Sequence, residues 1–122
     1  MLDNQVVAIT GAAGRIGTAF AKSIVENGGK VLLGDILAEQ GQKLAKSLGV
    51  ENALFISEDL TIPENIDHFI TEGLKKFTVL DAAVHCAYPT SKQWGTCFEE
   101  LQPEGLKEDL FKQLGGAILF SQ

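Results

Sequence analysis

The feature that most restricts how this chain can fold is a short apolar run that ends in three spaced glycines. Val6-Val7-Ala8-Ile9 lies between polar Gln5 and Thr10, and Gly11-Ala12-Ala13-Gly14-Arg15-Ile16-Gly17 follows at once. An apolar run of this length, rich in β-branched residues, reads as a strand buried on both faces. Beyond it Ile16, Ala19, Phe20, Ile24 and Val25 recur at helical spacing, until Asn27-Gly28-Gly29 stops the helix. Between a buried strand and a helix each glycine has a physical reason. Gly11 allows a tight turn, Gly14 lets the backbone come close to a phosphate group, and Gly17 lets the helix pack against the strand. The free N–H groups and dipole of such a helix start favour an anion. The same spacing also suits a glycine-rich turn that holds no ligand.

The alternation continues along the chain. Lys30 to Gly34 reads as a second buried strand closed by Asp35, and Leu37 to Leu48 as a helix with Leu44, Ala45 and Leu48 inward. Ala53 to Ser57 is a third strand. Pro63 opens a helix bearing Ile66, Phe69, Ile70 and Leu74, and Val79 to Cys86 is a fourth strand. Tyr88 to Gln102 reads as a loop, in which Trp94 and Phe98 are expected to pin the segment to the core rather than form a binding surface. A last helix runs from about Pro103 to Phe120. Strands alternating with helices imply right-handed βαβ crossovers. The expectation is an α/β fold of Rossmann type: a doubly wound parallel sheet of order 3-2-1-4 in one domain, residues 1–122, incomplete on its C-terminal side.

Composition narrows the partners. A net charge of −6 makes nucleic acid and anionic membranes poor partners, so an anionic cofactor needs local features to hold it. No segment approaches the ~20 apolar residues of a membrane span, and no basic, apolar leader opens the chain. Cys86 and Cys97 form no CxxC pair or His/Cys cluster, which favours reduced thiols, no metal site and a cytoplasmic location.

Asp35, with Ile36 beside it, falls about twenty residues after the glycine turn, where an acid accepts hydrogen bonds from the adenosine ribose and repels a 2′-phosphate. NAD is therefore expected over NADP, although Arg15 could partly serve a 2′-phosphate. An ordinary solvated acid is the other reading of Asp35. Asp59-Leu60-Thr61 follows the third strand, at the edge where adenine would lie, and could equally cap the next helix. His85 ends a strand and reads as a core or pocket-edge residue.

Thr10 to Gly17, Asp35, Asp59-Leu60 and Asp81-Ala82-Ala83-Val84-His85-Cys86-Ala87-Tyr88 occur in the order of the short-chain dehydrogenase/reductase family. The chain resembles the N-terminal half of that family's fold. The resemblance implies that Asp59 and Leu60 flank the adenine and that Ala87 lies near the adenosine ribose. Three departures stand out. Arg15 occupies the family's usual second-glycine position, with Gly14 just before it. His85-Cys86-Ala87-Tyr88 replaces Asn-Asn-Ala-Gly, and Ala87-Tyr88-Pro89 resembles a branch linked to flagellin modification and nonulosonic-acid sugars. Gln113 replaces an Asn that helps hold a proton-relay water. The family's catalytic Ser and Tyr-x-x-x-Lys would follow the helix at the end of this chain, so no catalytic residue is assigned. Tyr88 and Lys92 have that spacing, but Pro89 makes a loop, and such a pair must share a helical face.

The implied function is the nucleotide-binding part of an NAD(H)-dependent oxidoreductase acting on an alcohol or carbonyl, such as a sugar derivative, and inactive by itself. The alternative is a non-catalytic scaffold for assembly or nucleotide sensing. Binding of an adenine nucleotide or methyl donor is a third reading, which the downstream matches do not favour. The exposed edge of the fourth strand and the apolar face Leu106, Leu110, Phe111, Leu114, Ala117 and Ile118 predict a homo-oligomer.

Overall fold

A computed structural model describes all 122 residues. Its centre is a four-stranded parallel sheet of order β3-β2-β1-β4, formed by β1 Val6–Thr10, β2 Lys30–Asp35, β3 Ala53–Ser57 and β4 Ala82–His85. Val7 pairs with Val31 on one side and Ala82 on the other, and Leu33 pairs with Phe55. All five residues of β1 are buried, as its central position and apolar run require.

Side-chain alternation divides the interior into two cores. Val7, Ile9, Val31 and Leu33 pack on one face, with Ala21 and Ile24 of α1 (Arg15–Glu26) and Leu44 and Ala45 of α2 (Ala38–Leu48). Ala8 and Leu32 face the other way, against Leu60 and against Ile66 and Phe69 of α3 (Pro63–Phe77), with Leu119 and Phe120 partly buried beside them. Helix α1 ends with Gly28 at φ +87°; Gly28 N–H donates to Val25 O and Gly29 N–H to Ile24 O. This double bond closes the helix in a Schellman turn.

The structure departs from the sequence pattern in three places. In α1 the buried residues are Gly17, Ala21 and Ile24, whereas Ile16 and Phe20 are exposed. Gly17 turns the helix this way: a Cβ there would sit 2.3 Å from Gly11 O, so the smallest residue has to face the turn. Strand β4 is shorter than Val79 to Cys86. Asp81 precedes it and uses its side chain, with Oδ2 accepting from Val6 N–H at 2.8 Å while its own N–H donates to Val6 O. The final helix is also not uniform. It comprises α4 Pro103–Leu110, a widened π-type turn at Phe111–Gly115, and α5 Gly116–Ser121.

Phe69 is fully buried in the smaller core. Phe69→Ala is expected to lower unfolding stability by about 3–5 kcal/mol, much of what a small domain possesses, measured as a fall in the urea midpoint at constant slope.

Candidate functional site

A cleft of about 580 Å³ opens at the carboxyl edge of the sheet. Gly11 and Gly14 line it from the turn after β1, and Gly34, Asp35, Ile36 and Leu37 from the end of β2. Glu58 to Thr61 come from the end of β3, His85 to Thr90 from the end of β4, and Lys112 from the C-terminal helical run. Clefts at this edge, where the strand order reverses, are where doubly wound sheets bind ligands.

The glycine turn is fixed by its neighbours. Gly11 adopts φ +62°, and a Cβ on it would meet Ala87 N at 2.6 Å and Cys86 C at 2.7 Å. The turn after β1 and the exit of β4 thus touch backbone to backbone. Helix α1 then starts with no side-chain cap and no acid in its first turn. The N–H groups of Arg15, Ile16 and Gly17 donate to no protein acceptor. Arg15, Ile16 and Gly17 are not part of the cleft wall; their amides make a donor cluster beside Gly14, suited to an anion.

Asp35 is tied to this turn. Its Oδ2 accepts from Ala13 N–H at 2.9 Å, and its Oδ1 from Leu37 N–H at 3.0 Å. These bonds fix the carboxylate between the β1–α1 turn and the start of α2, with each oxygen able to accept further hydrogen bonds. Ile36 beside it is mostly exposed. In the next wall Asp59 Oδ1 accepts from Thr61 N–H at 3.0 Å and from Thr61 Oγ1 at 2.7 Å, while Leu60 is buried. Asp59 therefore forms a local Asx turn rather than the cap of α3, whose N-cap is Ile62.

The cleft wall includes His85, read from the sequence as a core or pocket-edge residue, and Glu58 and Lys112, which the sequence did not single out. Thr10 Oγ1 lies 2.8 Å from His85 Nδ1 and accepts from Ala87 N–H at 3.3 Å. With its own hydrogen free for Nδ1, the hydroxyl suits a neutral ring carrying its proton on Nε2, which is buried without a partner. Burial holds the His85 pKa below the usual histidine value and pushes the Cys86 thiol up, so Cys86 is not an activated nucleophile. Glu58 Oε1 pairs with His68 Nδ1 of α3 at 2.5 Å. No local pattern marks these pairs, because each joins residues from different elements.

The loop after β4 is held by polar contacts. Ser91 N–H and Oγ both donate to the Asp109 carboxylate, at 2.5 and 3.0 Å, and Gln113 Nε2 donates to Pro89 O at 3.1 Å. These bonds anchor the loop that aromatic residues were expected to pin. Trp94 packs edge-on against Tyr88 at 5.5 Å, and Phe98 is 84% exposed. Tyr88 and Lys92 lie in the loop, not on a shared helical face.

The family model described as short chain dehydrogenase matches residues 5–117. The chain belongs to the short-chain dehydrogenase family. It is 35% identical over 126 aligned positions to a post-translational flagellin modification protein A from Campylobacter coli, covering all of this chain and 49% of that protein. It is 32% identical over 132 positions to an L-rhamnose-1-dehydrogenase from Scheffersomyces stipitis, covering all of this chain and 48% of that protein. The chain thus spans about half the length of these relatives. Among solved structures, a 3-ketoacyl-(acyl-carrier-protein) reductase from Brucella melitensis complexed with NADH superposes with TM-score 0.87 at 24% identity, over 99% of this chain and 48% of that one. This short-chain dehydrogenase chain therefore has the Rossmann-type fold expected from its sequence, with the sheet order 3-2-1-4.

The depressed His85 pKa sets a direction for stability against pH. The unfolded chain binds this proton more readily, so stability falls as pH drops from the ordinary histidine range, about 6.5, toward the folded value. His85→Asn should flatten the fall in urea midpoint between pH 7.5 and 5.5.

Proposed function

We propose that this chain is the dinucleotide-binding part of an NAD(H)-dependent oxidoreductase that interconverts an alcohol and a carbonyl. The observation that carries the reading is Asp35, held at the end of β2 by Ala13 and Leu37 N–H groups within the same cleft as the glycine turn. In this reading the unpartnered amides of Arg15, Ile16 and Gly17 receive the pyrophosphate, with Gly11 and Gly14 leaving room for it. Asp35 accepts from the ribose hydroxyls and disfavours a 2′-phosphate. Ile36, Asp59 and Leu60 border the adenine, and Ala87 borders the ribose.

The dinucleotide supplies hydride chemistry when bound, while these residues bind and orient its adenosine half. The family's Tyr-x-x-x-Lys pair is not formed by Tyr88 and Lys92, so the isolated chain binds without turnover. The relative named an L-rhamnose-1-dehydrogenase supports a sugar derivative as substrate of the whole enzyme. The domain, residues 1–122, is read as incomplete on its C-terminal side and as working in the cytoplasm. Titrating the chain with NADH should enhance nicotinamide fluorescence. Asp35→Ala should weaken NADH binding about tenfold, the worth of a charge-assisted hydrogen bond, and narrow its preference over NADPH. No fluorescence change at millimolar NADH would overturn the reading.

A second reading, a scaffold used for assembly, is favoured by the apolar surface. Ala82 and Ala83 on the open edge of β4 are exposed, as are Leu106, Leu110, Phe111, Leu114 and Ile118. An open edge beside an apolar helix face invites association. Sedimentation at tens of micromolar should show a homo-oligomer, and a clean monomer would count against this reading.

A further inference from the structure

The end of α1 places a chemically reactive pair at the surface, away from the cleft. The chain has four asparagines, Asn4, Asn27, Asn52 and Asn65, and only Asn27 is followed by glycine. The fold imposes that glycine. Gly28 lies at φ +87° in the turn that closes α1, and a Cβ on it would come 2.6 Å from Asp3 Oδ1. Other residues rarely adopt that φ. Asn27 and Gly28 are both exposed. The carbon of an asparagine amide is an electrophile, and the next backbone nitrogen is a nucleophile within reach of it. With no Cβ on Gly28 that nitrogen is unhindered, and water has access to both groups.

The folded turn holds the two reactants apart. With Asn27 at φ −96° and ψ +17° the Gly28 nitrogen points away from the Asn27 side chain, so ring closure needs a large rotation about ψ. Gly28 N–H must lose its proton to attack, and it donates to Val25 O at 3.0 Å. Asn27 Nδ2, the leaving nitrogen, donates to Ser23 O at 2.8 Å. The N-terminal arm pins the carbonyls on either side of Gly28: Leu2 N–H donates to Asn27 O at 2.9 Å and Asn4 N–H to Gly28 O at 3.1 Å.

We propose that Asn27 is a self-modification site whose deamidation is gated by the N-terminal arm and the end of α1. When both open, the Gly28 nitrogen attacks Asn27 Cγ. The N–Cγ bond forms, the Cγ–Nδ2 bond breaks, and ammonia leaves with the proton of the Gly28 amide. Water then opens the five-membered imide at either carbonyl, leaving aspartate or isoaspartate at position 27 without any change of oxidation state. Either product puts a carboxylate at the end of α1, where the helix dipole is already negative and the last turn carries no basic residue. Isoaspartate also adds a methylene to the main chain and moves Gly28 N–H out of register with Val25 O. The reaction thus loosens the closure that held it back.

The test incubates the full 122-residue chain, folded or in urea, in mildly alkaline buffer. Mass spectrometry of the tryptic peptide Ser23–Lys30 follows the conversion, and an isoaspartyl methyltransferase labels the main-chain product. In urea Asn27 should convert well ahead of the other three asparagines. The folded chain should convert it at least about tenfold more slowly than in urea, and the slowing should match the protection of Gly28 N–H against hydrogen exchange, because both need the same local opening. Leu2→Pro, which deletes one donor of the arm, should speed the folded rate about fivefold, the worth of one hydrogen bond. Asn27 converting no faster than the other asparagines in urea would overturn the site. Equal rates folded and unfolded would overturn the gate, as would a folded rate well above the one that Gly28 exchange allows. A folded Leu2→Pro chain with an unchanged rate would remove the arm from the gate. The wild-type comparisons decide the site and the gate even where Leu2→Pro does not fold.

Discussion

The backbone contact between Gly11 and the exit of β4 organises the whole carboxyl edge of the sheet. At φ +62°, and with Cys86 and Ala87 filling the space where a Cβ would stand, Gly11 lets two strand ends meet without a side chain between them. The Thr10 hydroxyl reinforces the junction through Ala87 N–H and the His85 ring. Gly17 then brings α1 down on Gly11 O. Together these contacts decide where the unpartnered amides at the start of α1 stand. Any side chain at Gly11 would be strained by its φ and would also force β1 and β4 apart.

The electrostatics follow from this placement. A chain of net charge −6 repels anions overall, yet the start of α1 offers three N–H donors with no acid in its first turn. Local dipoles and unpartnered amides can outweigh net charge at contact distance, because salt screens the more distant charges. Asp35 joins the two halves of the cleft, since one carboxylate oxygen holds the glycine turn and the other holds the start of α2. The acid is therefore a structural pin as well as a candidate ribose acceptor, and replacing it would disturb both.

Opposite this ordered corner the surface is open and apolar. Strand β1 is buried throughout, while β4 leaves Ala82 and Ala83 exposed and the helical run turns a row of leucines outward. The polar clamps Ser91–Asp109 and Gln113–Pro89 nonetheless fix the loop after β4 against that run. The cleft can thus be shaped on its C-terminal side without a large apolar interface.

The residue order by itself determined the parallel, doubly wound sheet, its strand order and the glycine turn with Asp35. All of these are carried by local periodicity and by glycines whose neighbours in sequence already demand them. Its apolar spacing along α1 grouped Ile16 and Phe20 with Ile24, whereas Gly17, Ala21 and Ile24 are the buried residues, because apolar spacing alone does not weigh the close contact of Gly17 with Gly11 O. It extended β4 too far, because Asp81 substitutes a side chain for strand pairing. The pairs Thr10–His85, Glu58–His68 and Ser91–Asp109, and the position of Lys112 in the cleft wall, were decided only by the tertiary structure. Each joins residues at least ten positions apart, or a helix to a strand end, and no local pattern records a contact that chain packing alone creates. The glycines, in contrast, carry their constraint in their own backbone, which is why they were legible first.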